Sequence, residues 1–279
     1  MLVSSKKIIE LAQKHKYAVG AFNTSDLEIT KAIINAGIKE NAPLIVQVTE
    51  RAIAFAGLEE MVQIIKTSAE KAKIPVVLHL DHGKTLDIVN KCLQVGFNSV
   101  MFDGSALTFE ENKVLTARAV EMAHRYKAHC EGELGHVSKF NEESDKKLTD
   151  PDQVNEFAKF TKVDSLAVSI GSSHGIGEDE KLDIPLLKKI RAKTNIPLVL
   201  HGGSGLPEDD VREAIKNGIC KINIDTDIRH TFSKTIHDIN KKYSDLNDPR
   251  DIMNKVILEI QKVVEAKIKL FGSVGKGDL

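Results

Sequence analysis

No Pro/Gly/Ser-rich linker, low-complexity run or shift in composition interrupts the 279 residues. A chain split by a flexible hinge is therefore excluded, and one domain spanning 1–279 is expected. Charge of one sign is also missing. Lys and Arg number 39 against 40 Asp and Glu, a formal net charge of −1, so there is no general pull towards nucleic acid or an anionic membrane. Any anion must be held locally. Cysteine is scarce: Cys92, Cys130 and Cys220 form an odd set without a CxxC pair. A disulfide framework is thereby excluded, and free, buried thiols in a reducing compartment are expected. No apolar run is long enough to span a bilayer. The opening "MLVSSKKIIELAQKHKYAVG" meets lysines within a few residues and reads as an amphipathic helix, not a signal peptide. A cytoplasmic protein is expected.

What the chain does contain is an alternation. Eight short apolar runs read as strands: Tyr17–Asn23, Pro43–Thr49, Pro75–Asp81, Asn98–Gly104, Ala128–Leu134, Ser165–Gly171, Pro197–Gly203 and Cys220–Thr226. Stretches of helical period separate them. Near-continuous aliphatic runs indicate strands covered on both faces, as in a parallel sheet. Eight strand–helix units at this length predict an α/β fold of the (β/α)8 TIM-barrel type, with an open doubly wound sheet as the alternative. A further amphipathic helix, at about 249–272, is expected to pack on the barrel or on a second subunit.

Polar residues end almost every strand, and this favours the barrel, whose strand ends share one mouth. Asn23 and Thr49 close the first two runs and are candidate substrate contacts. His82, His174 and His201 follow the third, sixth and seventh strands, each near glycine. Three neutral imidazoles round one point suit Zn²⁺ or a similar first-row ion with positions left for substrate. Asp81 is read either as a carboxylate orienting a ligand or as a proton acceptor for a substrate hydroxyl. Asp103 and Glu133 offer oxygen ligands for a second cation. "HGGSG" and "NIDTD" follow strands seven and eight, where barrels often hold phosphate on backbone N–H groups. Gly202, Gly203 and Ser204 are the candidate cradle, with Asn223, Asp225 and Thr226 opposite. Asp225 is expected to meet a hydroxyl, since a carboxylate repels phosphate.

The blocks "YAVGAFN", "HLDHG", "GFNSVMFDGS", "EGELG", "GSSHG", "PLVLHGGSGLP", "KINIDTD" and "DPRDI" together resemble the class II, metal-dependent ketose-bisphosphate aldolases along nearly the whole chain. The resemblance implies that His82, His174 and His201 bind a catalytic Zn²⁺. Asp81 would be the acid/base at the C4 hydroxyl. Gly175, Gly202, Ser204, Asn223, Asp225 and Thr226 would hold the dihydroxyacetone phosphate half. Asp103 and Glu133 match positions linked to a second cation such as Na⁺ or K⁺. The implied reaction is reversible cleavage of fructose 1,6-bisphosphate to dihydroxyacetone phosphate and glyceraldehyde 3-phosphate, the metal stabilising the enediolate left by C3–C4 cleavage. The implied assembly is a homodimer or homotetramer.

The segment after "ELG" departs from that family. Gly-Gly with adjacent acids is replaced by "HVSKFNEESDKKLTD", in which Glu142 or Glu143 is the candidate acid for the C3 proton. Tagatose 1,6-bisphosphate or another ketose 1-phosphate is the alternative substrate. Three other readings have distinct signatures. A Schiff-base aldolase would use Lys221, and a metal hydrolase would want an HxH pair where Phe22 and Asn23 stand. A non-catalytic phosphosugar-binding barrel would keep the cradle without needing three histidines and Asp81.

Overall fold

Aliphatic strands flanked by helices with clear start signals close on themselves in the computed structural model, which describes residues 2–137, 147–173, 175, 181–242 and 246–278. The eight strands are β1 (Val19–Asn23), β2 (Leu44–Thr49), β3 (Val76–Gly83), β4 (Ser99–Phe102), β5 (His129–Leu134), β6 (Ser165–Val168), β7 (Leu198–Leu200) and β8 (Ile219–Ile224). They pair in parallel in chain order, and β8 returns to β1, with Gly20 opposite Ile222. The expected TIM barrel is therefore present, and the open sheet is excluded.

Helix starts follow local chemistry. Asp26 opens α2 (Leu27–Glu40) by accepting the Ile29 N–H at 2.7 Å. Thr108 and Glu111 form a reciprocal capping box at the head of α6 (Phe109–Arg125), which satisfies two N–H groups that a helix start otherwise leaves open. Asp248 followed by proline opens α11 (Pro249–Leu270). One helix is absent from the sequence reading: α3 (Glu50–Ala56), seven residues capped by Thr49.

The main core lies between sheet and helices. Outward side chains such as Phe22, Val46, Leu78, Val100 and Ile222 meet the helices there. α11 adds Val256, Ile260, Val264 and Ile268 to this core, so the C-terminal helix packs on its own barrel. A second apolar cluster plugs the bottom. There α1 (Ser5–His15) sets Ile8, Ile9 and Ala12 against Val19, Ile45, Val77 and Cys220. The three cysteines are buried and unbridged. Among the described residues no helix is long and apolar enough to cross a membrane.

Candidate active site and metal centre

Two imidazoles from opposite parts of the barrel meet at the mouth. His82 stands at the end of β3 and His201 just past β7, and their rings pack edge to face with centroids 4.6 Å apart. His82 Nε2 lies 2.9 Å from His201 Nδ1. The other nitrogen of each ring faces a carboxylate: His82 Nδ1 meets Asp103 Oδ2 at 2.9 Å, and His201 Nε2 meets Glu131 Oε1 at 2.9 Å. Ionised carboxylates only accept, so each ring carries its N–H on the carboxylate side. The two nitrogens that face each other are then lone-pair donors, an arrangement a cation resolves. Asp81 Oδ1 is 3.8 Å from His82 Nε2, and Asp81, His82 and His201 together form a group with metal-ligand spacing. The donor set of nitrogen plus carboxylate suits a borderline ion such as zinc.

The backbone explains how Asp81 and His82, neighbours on one strand, both reach this point. Strand residues alternate between faces, which would point these two neighbours to opposite sides. The structure instead breaks the alternation: His82 is in the left-handed region with φ 51°, and the β3–β4 register shifts between Leu80 and Gly83. Such a conformation in a non-glycine residue is strained by about 1–3 kcal/mol.

Asp81 is fixed at both oxygens. Asn23 Nδ2 donates to Oδ2 at 2.8 Å and Asn223 Nδ2 to Oδ1 at 3.1 Å. Burial opposes its charge, but His82, His201, Lys221 and the Asn23 bond outweigh this and lower its pKa. Burial likewise disfavours a charged His82, yet Asp81, Asp103 and Glu133 raise it to about 10. His201 shifts the other way, lowered first by burial and then by the charge of His82 against the Glu131 bond.

Asp103 and Glu133 converge on the far side of His82, and the three form a second group with ligand spacing. Asp103 serves His82 first, and its Oδ1 accepts the Ser105 hydroxyl at 2.6 Å. Glu133 Oε2 is buried with no hydrogen-bond partner among the described residues, and burial followed by the charge of Asp103 pushes this carboxyl up to about 8.

The glycine loop is held against its neighbours by close backbone contact. Gly202 has φ 66°, and a Cβ there would lie 2.2 Å from Ser173 O, so only glycine fits. Gly203 uses its N–H on Asn223 O at 3.0 Å. This bond ties the loop to β8. Ser204 Oγ accepts the Asp227 N–H at 3.1 Å, near the start of α10 (Thr226–Lys242). Asp225 pairs with Arg229 Nε at 3.0 Å, and Thr226 Oγ1 accepts from Arg229 Nη2 at 3.3 Å.

Two candidate contacts hold other groups. Asn23 is bonded at both ends of its amide, to Asp81 and to Gln47 Nε2 at 2.6 Å, and acts as a brace for Asp81. The Thr49 hydroxyl caps α3 through the Ala52 N–H at 3.2 Å. Gly175 is described with φ 142°. His174, Glu142 and Glu143 lie outside the described residues. Glu131 and Gln47 were not assigned from sequence. Their signal is a buried charge and a buried amide within strands.

Known proteins resemble this chain along nearly its whole length. A family model described as "Fructose-bisphosphate aldolase class-II" matches residues 3–276. The fructose-bisphosphate aldolase of Helicobacter pylori is 38% identical, over 99% of this chain and 100% of that protein. The D-tagatose-1,6-bisphosphate aldolase subunit GatY of Klebsiella oxytoca is 36% identical, over 99% of each. Among solved structures, the YdjI aldolase of Escherichia coli K12 superposes with a TM-score of 0.90 at 33% identity, covering both chains fully.

Proposed function

Because the chain belongs to the class II fructose-bisphosphate aldolase family and is therefore a lyase whose chemistry implies a divalent metal, we propose that its substrate is fructose 1,6-bisphosphate and its metal Zn²⁺. The observation that carries the reading is the placement of Asp81, braced by two asparagine amides, beside the facing nitrogens of His82 and His201. These two histidines, with His174, would hold the ion. When bound, it supplies Lewis acidity that draws electron density from a carbonyl oxygen.

The rest is done by side chains. Asp81, ionised in the free protein, takes the C4 hydroxyl proton during cleavage and returns it during condensation. Asn23 and Asn223 stop the carboxylate from rotating between those two events. Asn223 Oδ1 is buried with no partner among the described residues and would accept from a substrate hydroxyl. The loop of Gly202, Gly203 and Ser204, with Thr226 and Gly175, would take the phosphate of the dihydroxyacetone half, and Asp225 would meet one of its hydroxyls. Arg229, paired with Asp225, offsets that carboxylate so that it does not repel the phosphate. Glu142 or Glu143 would carry the C3 proton. Asp103 and Glu133 would seat a second cation such as Na⁺ or K⁺. Lys221 is 1% exposed and ion-paired with Glu131, which disfavours a Schiff-base role.

Tagatose 1,6-bisphosphate is a second reading, favoured by the similarity to GatY, which nearly equals that to the fructose-bisphosphate aldolase. Cleavage of both sugars by the zinc-loaded protein separates the two. The expected outcome is a kcat/KM at least about tenfold higher for fructose bisphosphate, or about 1.4 kcal/mol of transition-state discrimination. A preference for tagatose bisphosphate contradicts the assignment.

A further inference from the structure

TIM-barrel interiors are filled mainly by branched aliphatic side chains, yet the middle of this one is polar. Beneath His201 lie Glu131, Lys221, His79 and His129, none more than 3% exposed. Lys221 Nζ donates to Glu131 Oε2 at 2.8 Å and to His79 Nε2 at 3.2 Å. The Ser165 hydroxyl reaches the same Glu131 oxygen at 3.4 Å, while Oε1 accepts from His201 Nε2. His79 is anchored in turn through Nδ1 on Ser99 Oγ at 2.7 Å. These groups come from β3, β4, β5, β6 and β8, with His201 past β7, so the network crosses the barrel from wall to wall. A buried ion pair of this kind contributes little net stability, because desolvating two charges offsets their attraction. Its use must lie elsewhere.

We propose that Glu131 and Lys221 are positioning residues for the metal centre: Glu131 fixes His201 as the Nε2–H tautomer with Nδ1 turned to the ion, and Lys221 balances the buried charge that lets it do so. The inference rests on the reading of His201 as a metal ligand. A neutral imidazole has one N–H and one lone pair. Glu131, below the ring, claims the N–H at Nε2, and the lone pair is left on Nδ1, the atom 2.9 Å from His82 Nε2. A carboxylate behind a ligand also makes that ligand more basic. Asp103 does the same for His82, but near the mouth, where Ser105 Oγ at 2.6 Å suffices to hold it. Glu131 is too deep for that and requires a cation of its own.

Three variants and one spectrum test this. Glu131→Gln and Lys221→Met each leave one buried charge unpaired and are expected to lose stability. The double variant Glu131→Gln/Lys221→Met removes both charges together and is expected to keep its fold. Zinc affinity of the double variant, measured by competition with a chromophoric chelator, is expected to fall roughly 10–100-fold while its circular dichroism matches the parent. Independently of any variant, ¹⁵N spectra of the zinc-loaded parent are expected to place the His201 proton on Nε2. Zinc binding by the folded double variant within about twofold of the parent, well inside the range of outer-partner effects, overturns the inference. So does a His201 proton on Nδ1, a result that stands even if no variant folds. A parent that binds no zinc overturns the site reading and this inference together, whereas a zinc-dependent parent with an unaffected double variant overturns the inference alone.

Discussion

Asp81 has both oxygens occupied by amide donors, and a carboxylate so held cannot swing away when its charge changes. Two residues of opposite strand parity then act together only because His82 adopts φ 51°. The strain there is the local cost of putting an acid and a ligand side by side. Replacing Asp81 by Asn removes the proton acceptor while keeping the shape of the side chain and one of its two hydrogen-bond acceptors. Asp81→Asn is expected to lower kcat by about 10²–10⁴-fold, with zinc content per chain unchanged. Steady-state cleavage beside metal analysis checks both. A loss of less than about tenfold would remove Asp81 from proton transfer.

At the scale of elements, the strands β5 and β6 hold a histidine that must stay neutral. His129 Nε2 meets Ser165 Oγ at 2.9 Å, and burial, the largest influence, lowers its pKa from 6.5 to about 4. The unfolded chain takes up this proton near pH 6.5, whereas the folded one resists until about pH 4. Between those values the unfolded state binds more protons at this site, so the His129 contribution to stability falls as pH drops, by roughly 3 kcal/mol over the window. His79 shifts in the same direction and adds to the effect. Urea midpoints from neutral pH down to about pH 4 are expected to fall less steeply in His129→Gln than in the parent. Parallel slopes would contradict the account. The elements themselves differed in how legible they were. The long helices carried caps and an apolar stripe, as in α6 with its Thr108–Glu111 box. The short α3 carried only the Thr49 cap and one buried side chain, Ala52, too little signal for a periodicity argument.

For the molecule as a whole, the barrel was readable because parallel strands buried on two faces must be aliphatic throughout, as Leu44–Val48 are. Its mouth was readable because polar residues interrupt those runs at their ends, as His201 does after Leu198–Leu200. The polar middle layer was not. Lys221 stands in a mostly apolar strand and Glu131 in one that carries two other polar side chains, His129 and Glu133, and only the closure of the sheet brings β5 and β8 to hydrogen-bonding distance. The left-handed residue at the β3 end is His82 and not its neighbour Gly83, so the bulge that unites Asp81 with His82 has little local signature. The floor of the site, plugged by Ile8, Ile9 and Ala12, leaves the mouth as the place where these groups meet substrate. The most direct test is the rate of fructose 1,6-bisphosphate cleavage as zinc is returned to protein stripped by chelator. The account predicts no turnover without metal and a linear rise that stops at about one ion per chain, the catalytic site. Full turnover in metal-free protein would contradict it.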